Sequence, residues 1–177
     1  MLPQRKQIRL LHFDYALTGA YFITCCSYEK RCFFSSVSDG IVQLTPLGKI
    51  IEEELIQTPI IRPSITLDQF IIMPNHIHAI VLITDGKGTH QITDSEQSAR
   101  TFGGGSRNSL SSMLSQTKSK ITKRAKTELN WDGEVWQRGF YEHIIRDEND
   151  MGRIRDYIIT NPLNWETDQE HPNINPP

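Results

Sequence analysis

The sequence is poor in the signatures of several common chemistries. Only 3 of its 177 residues are cysteine, an odd count, and two of these are adjacent as Cys25-Cys26. No CxxC pair occurs, which removes a zinc ribbon and a thioredoxin-type motif from consideration. A chain of this length suits one compact domain, residues 1–177 with a core at about 19–164, and such a core needs no disulfide staples. The thiols read as reduced, with Cys25 or Cys26 in a strand, and a cytoplasmic setting is expected. Long apolar runs are also lacking. Phe70-Ile71-Ile72-Met73 and Ala79-Ile80-Val81-Leu82-Ile83 are far too short to span a bilayer. The opening MLPQRKQIRL carries charge but no apolar core of signal-peptide length. A soluble protein is expected, and no internal repeat is visible.

Net positive charge is missing too. The formal charge is −2, which taken alone argues against a generic nucleic-acid binder. The distribution points the other way. From Gln97 to Thr127 there is no Asp or Glu, whereas Arg100, Arg107, Lys118, Lys120, Lys123, Arg124 and Lys126 fall in that stretch. The acids gather in Glu52-Glu53-Glu54, in Asp147-Glu148-Asn149-Asp150 and in the tail. A local basic surface is the electrostatic footprint for a polyanion, although a charge run is also the ordinary dress of a solvated helix face.

The periodicities give an order of elements. Ala20 to Ser27 is rich in β-branched and aromatic residues and reads as a strand. Leu47 to Gln57 has helical spacing, with Thr45 as cap, Pro46 in the first turn and Pro59 as the stop. Thr66 to Met73 and His76 to Thr84 are strand candidates joined by so short a turn that they should pair antiparallel. Asp85 to Ser109 is polar, closes on three glycines and should be a mobile loop. Ser109 to Leu129 is an amphipathic helix, Phe140 to Arg146 a fourth strand, and a last helix starts near Glu148 or Asn149 and is limited by Pro162. The tail from Asn164 is expected to be loosely held. The order β, α, β, β, α, β, α predicts a ferredoxin-like βαββαβ sandwich of the α+β class, with an antiparallel sheet and one extra C-terminal helix.

The sharpest local feature is Pro74-Asn75-His76-Ile77-His78-Ala79. Residues i and i+2 of a strand point to one face, so His76 and His78 project together and offer two imidazoles to a divalent metal. Without a further ligand they are equally two histidines on a sheet. On the last helix Tyr157 and Asn161 are four residues apart and stack on one face, so a phenolic oxygen and a carboxamide oxygen point the same way. Their bland roles are an interface tyrosine and a helix-end asparagine before Pro162. His143 is the rival third ligand, and Glu142 a weaker one.

The segment MPNHIH, followed by WQRGFYEHIIRDENDMGRIRDYIITNP, resembles the REP-associated tyrosine transposases. These belong to the single-tyrosine branch of the HUH endonucleases, named for two histidines around a hydrophobic residue. The resemblance runs from about Gly19 to Asn164. It implies that His76 and His78 hold a metal with Asn161 as third ligand, and that Tyr157 is the nucleophile. Tyr141 is the alternative nucleophile. It also implies that Trp136, Gln137 and Arg138 contact DNA, a role the basic residues Arg107, Lys118, Lys120, Lys123 and Arg124 would share. The expected activity is cleavage and rejoining of single-stranded DNA, containing a hairpin, through a 5′-phosphotyrosine, with Mg²⁺ or Mn²⁺ as cofactor. The protein would act as monomer or homodimer, the tyrosine serving its own or a partner's metal. Two departures from the pattern stand out: a long loop at Asp85 to Ser109, and a chain that stops soon after the tyrosine helix, so an extended C-terminal DNA-binding tail is expected to be missing. Two other readings fit parts of the pattern. One is a catalytically silent single-stranded nucleic-acid-binding module. The other is a metal-dependent hydrolase that uses water, with His76, His78 and His143 as ligands.

Overall fold

The structure, a computed structural model, describes residues 18–84 and 109–172. Its main sheet has four antiparallel strands: β1 (Gly19–Cys26), β4 (Ile65–Ile72), β5 (His76–Ile83) and β6 (Tyr141–Ile145), in spatial order β4-β5-β1-β6. Between β1 and β4 come a small hairpin, β2 (Ser35–Ser38) with β3 (Ile41–Leu44), and helix α1 (Pro46–Ile61). Helix α2 (Leu110–Leu129) lies between β5 and β6, and α3 (Glu148–Thr160) follows β6. This is the ferredoxin-like α+β sandwich with a terminal helix that the sequence predicts. No described helix is long and apolar enough to cross a membrane.

Strand alternation divides the core in two. Tyr21, Ile23 and Cys25 of β1 and Ile77, Ala79 and Val81 of β5 face α1 and α2, where Leu47, Ile51, Leu55, Met113 and Ile121 complete the larger cluster. Ala20, Phe22 and Ile80 face the other way, onto Met151 and Ile158 of α3. The helices therefore cover opposite faces, two on one side and α3 on the other.

Local chemistry sets the helix starts. The Thr45 hydroxyl accepts from the Gly48 amide at 3.0 Å, the Ser109 hydroxyl from Ser112 at 3.2 Å, and the Asp147 carboxylate from Asp150 at 2.8 Å. Gly48 is needed where α1 meets the chain before β2: a Cβ there would sit 2.0 Å from the Phe34 carbonyl oxygen.

Two expectations need correction, and one element is new. Pro59 does not stop α1, which runs on to Ile61 and ends at Arg62, whose amide bonds the Thr58 carbonyl. A proline near a helix end removes a single backbone bond, and packing of Leu55 and Thr58 outweighs that. The β2–β3 hairpin was not anticipated. The chain after α3 is not loose: Asn161–Thr167 forms a 3₁₀ helix, and Asn161, Pro162, Trp165, Asp168 and His171 are buried. The 85–108 part of the loop and Arg107 lie outside the described residues.

Candidate active site

His76 and His78 stand on β5, an interior strand, on the face covered by α3. Both side chains are buried, with ring centroids 4.4 Å apart. Each ring is held through Nδ1. His76 Nδ1 is 2.8 Å from Asn75 Oδ1, and His78 Nδ1 is 2.9 Å from Thr24 Oγ1 on β1. Burial pushes the pKa of both down to about 3, helped at His76 by the nearby Lys30 charge and at His78 by the other imidazole. Both are therefore neutral near pH 7, the form that binds metals.

Helix α3 brings Tyr157 over this pair. Its hydroxyl is 3.3 Å from His78 Nε2, and its ring meets Phe22 edge-on with centroids 6.0 Å apart. An ion pair and a hydrogen bond fix the helix: Arg155 to Asp68 of β4 at 2.6 Å, and His143 of β6 to Asp150 at 2.8 Å. Asn161, one turn beyond Tyr157, points its amide nitrogen at the Asp168 carboxylate, 2.9 Å away. The ligand atoms of His76, His78 and Asp168 all lie within 4.8 Å of one another, and all three residues are buried.

This cluster fits a divalent cation. Two buried polar atoms, His76 Nε2 and Asn161 Oδ1, have no hydrogen-bond partner. The Asp168 carboxylate accepts from Asn161 and from the Glu170 amide at 2.6 Å, yet no lysine or arginine pairs with it among the described residues. A buried carboxylate without a cation is costly, and a metal among these atoms would satisfy all three groups at once. Two imidazoles and a carboxylate form a mixed nitrogen and oxygen set that suits Mn²⁺ well and Mg²⁺ less closely.

No family model matches the chain. An uncharacterised protein of Haemophilus influenzae is 36% identical over 169 residues, covering 95% of this chain and 93% of the relative. The two belong to one family. A second protein of that organism, named "Putative REP-associated tyrosine transposase", is 52% identical over 29 residues, 16% of either chain. A solved structure of a REP-associated tyrosine transposase bound to a REP hairpin covers 88% of this chain and 73% of its own, with TM-score 0.59 and 20% identity. The chain has the fold of a REP-associated tyrosine transposase.

Within that transposase fold the other residues singled out in the sequence fall into three groups. Tyr141 is exposed on β6, in the row of the sheet that holds Thr24 and His78, with β1 between it and the imidazoles. His143 is committed to Asp150, and Glu142 projects to the opposite face. Gln137 and Arg138 are exposed beside the end of β1: the Gln137 amide bonds the Cys26 carbonyl, and Cys26 pairs in register with His76. Trp136 packs on Phe34, with the Lys118 ammonium 5.2 Å from its ring.

The basic residues of α2 lie across the sheet from the imidazoles. Lys118 donates to the Gly139 carbonyl at 2.7 Å. Arg124 binds Glu53, Glu54 and Glu128, and Lys120 is 4.0 Å from Glu54. Lys123 and Lys126 line an open groove with Lys118 and Trp136. The structure thus joins His76, His78, Tyr157 and Asn161 and leaves the basic helix elsewhere. It adds Asp168, which no sequence signal marks: it lies past Pro162 in a polar stretch without periodicity.

Proposed function

We propose that the chain is a metal-dependent single-stranded DNA endonuclease and strand transferase that works through a 5′-phosphotyrosine at Tyr157. The observation that carries this reading is the Tyr157 hydroxyl 3.3 Å from His78, at the edge of a buried His76–His78–Asp168 cluster. The transposase fold supports it. His76, His78 and Asp168 would hold the metal, with the unpartnered Asn161 Oδ1 as a fourth donor. When bound, the cation polarises a non-bridging phosphate oxygen and neutralises developing charge.

The remaining demands fall on the protein. The Tyr157 phenol is pushed up to about 12 by burial and then by the Asp168 and Glu170 charges, with a hydrogen bond to Asn161 working the other way. It is neutral at pH 7, and positive charge at the cluster would favour the phenolate. The Tyr157 oxygen attacks phosphorus and the bond to the 3′ oxygen breaks. The phenolic proton passes to solvent, and the departing 3′ oxygen takes one up. The protein–DNA ester conserves the phosphodiester, so another 3′-OH can displace Tyr157 without ATP. α3 holds the phenol over its own chain's imidazoles, which favours a tyrosine acting in cis. Gln137 and Arg138, exposed at the end of the sheet nearest His76, would meet the strand. Lys118, Lys123 and Lys126 would meet phosphates of a longer or hairpin-containing DNA on the far face.

Incubation with labelled single-stranded oligonucleotides, with and without a hairpin, in Mn²⁺ tests the reading. A covalently shifted band on a denaturing gel, lost with EDTA, is expected. Cleavage without an adduct would favour a water-using hydrolase, and binding without cleavage a silent binding module.

A further inference from the structure

We infer that Asn75 is a positioning residue: it fixes the tautomer of His76 so that the Nε2 lone pair faces the metal cluster, and the same amide holds the segment that carries Asp168. This rests on the metal-centre reading above.

The orientation of the Asn75 amide is over-determined. Its nitrogen lies 3.1 Å from the Lys30 carbonyl oxygen and 2.6 Å from the Glu170 carbonyl oxygen. Both partners are acceptors only, so the donor end of the amide must face them; the reverse setting would press three oxygens together. Asn75 Oδ1 is thereby turned to His76 Nδ1 at 2.8 Å. A carboxamide oxygen can only accept, so Nδ1 carries the proton. A neutral imidazole has one N–H, and Nε2 is left with its lone pair. That nitrogen is the one buried without a partner beside His78 and Asp168.

The backbone around Asn75 gives it no freedom to turn. It is fully buried, its carbonyl accepts from the Ser27 amide at 2.8 Å, and the Pro74 carbonyl accepts from the Phe34 amide at 2.9 Å. Glu170, tied by the Asn75 nitrogen, is two residues from Asp168 and donates its own amide to that carboxylate. One side chain therefore sets a ligand on β5 and steadies the segment bearing another. Partners of this kind commonly govern metal affinity by about 10–100-fold.

Calorimetric titration of Mn²⁺ into metal-free wild type, His76→Ala, Asn75→Ala and Asn75→Asp tests this, together with ¹⁵N NMR of the imidazoles. Asn75→Ala is expected to bind about 10–100-fold more weakly. Asn75→Asp keeps an oxygen for Nδ1–H but sets its other oxygen against the Lys30 and Glu170 carbonyls, so it should keep His76 protonated at Nδ1 and still bind more weakly than wild type. The wild-type spectrum should show His76 protonated at Nδ1. Affinity of Asn75→Ala within about twofold of wild type overturns the inference while sparing the metal centre, provided His76→Ala is weak. Should Asn75→Ala fail to fold, a wild-type His76 protonated at Nε2 overturns it. Wild type that binds no better than His76→Ala ends the metal-centre reading and this inference with it.

Discussion

The Tyr157 hydroxyl and His78 Nε2 lie 3.3 Å apart, so the phenol stands against the nitrogen that a cation in the cluster would bind. With a metal held by His78, that contact would be lost and the phenol would stand beside the charge that favours its ionisation. Tyr157→Phe should therefore abolish the covalent DNA adduct on a denaturing gel and leave oligonucleotide binding within about twofold, because it removes one oxygen and no packing. Tyr141→Phe should keep the adduct. An adduct that persists without the Tyr157 oxygen would pass the role to Tyr141.

Asp168 supplies the negative charge of the cluster. Asp168→Asn preserves its shape but removes that charge, and Mn²⁺ affinity should fall by at least about 10-fold in calorimetry. Unchanged affinity would return the third position to Asn161.

The metal-free protein should lose stability as pH drops from 7 to 5. Both histidines are held near pKa 3 by burial, against about 6.5 in an unfolded chain. Between those values the unfolded chain binds more protons, so acid favours unfolding in that window. Each histidine contributes at most about 2 kcal/mol between pH 7 and 5, and His76→Ala should show about half the wild-type loss in urea titrations. The carboxyl of Asp150, held below the usual range chiefly by His143, acts only at lower pH. A profile flat from pH 7 to 5 would contradict the neutral, buried pair.

Gly48→Ala should lower the urea midpoint, with a cost of about 1–3 kcal/mol, because the added methyl meets backbone rather than a flexible side chain. The Phe34 carbonyl it would strike also accepts from the Thr45 amide and cannot simply step aside. Midpoints within error would mean that the start of α1 shifts freely. The adduct should survive in native buffer, since this contact is on the face away from Tyr157.

The sheet was legible because its strands are short runs rich in β-branched and aromatic residues, and the His76–His78 pair because a period of two is all it needs. Tyr157 and Asn161 were paired by their helical spacing, and resemblance gave them roles over the bland readings of interface tyrosine and helix-end asparagine. Asp168 was hidden because its value comes from a 3₁₀ turn that folds a polar tail back onto β5. Pro59 misled because a single lost backbone bond was given more weight than burial of Leu55. The β2–β3 hairpin did carry a signal, Asp39-Gly40 between two short β-prone runs, and both residues adopt positive φ, 51° and 73°.

Tyr157 and Asp168 sit on consecutive pieces of one chain, α3 and the 3₁₀ turn that continues it. Phenol and anion therefore travel as a single cassette. If that terminal cassette were exchanged between two copies, neither could keep half of it: the imidazoles of one would receive both the phenol and the carboxylate of the other, or lose both together.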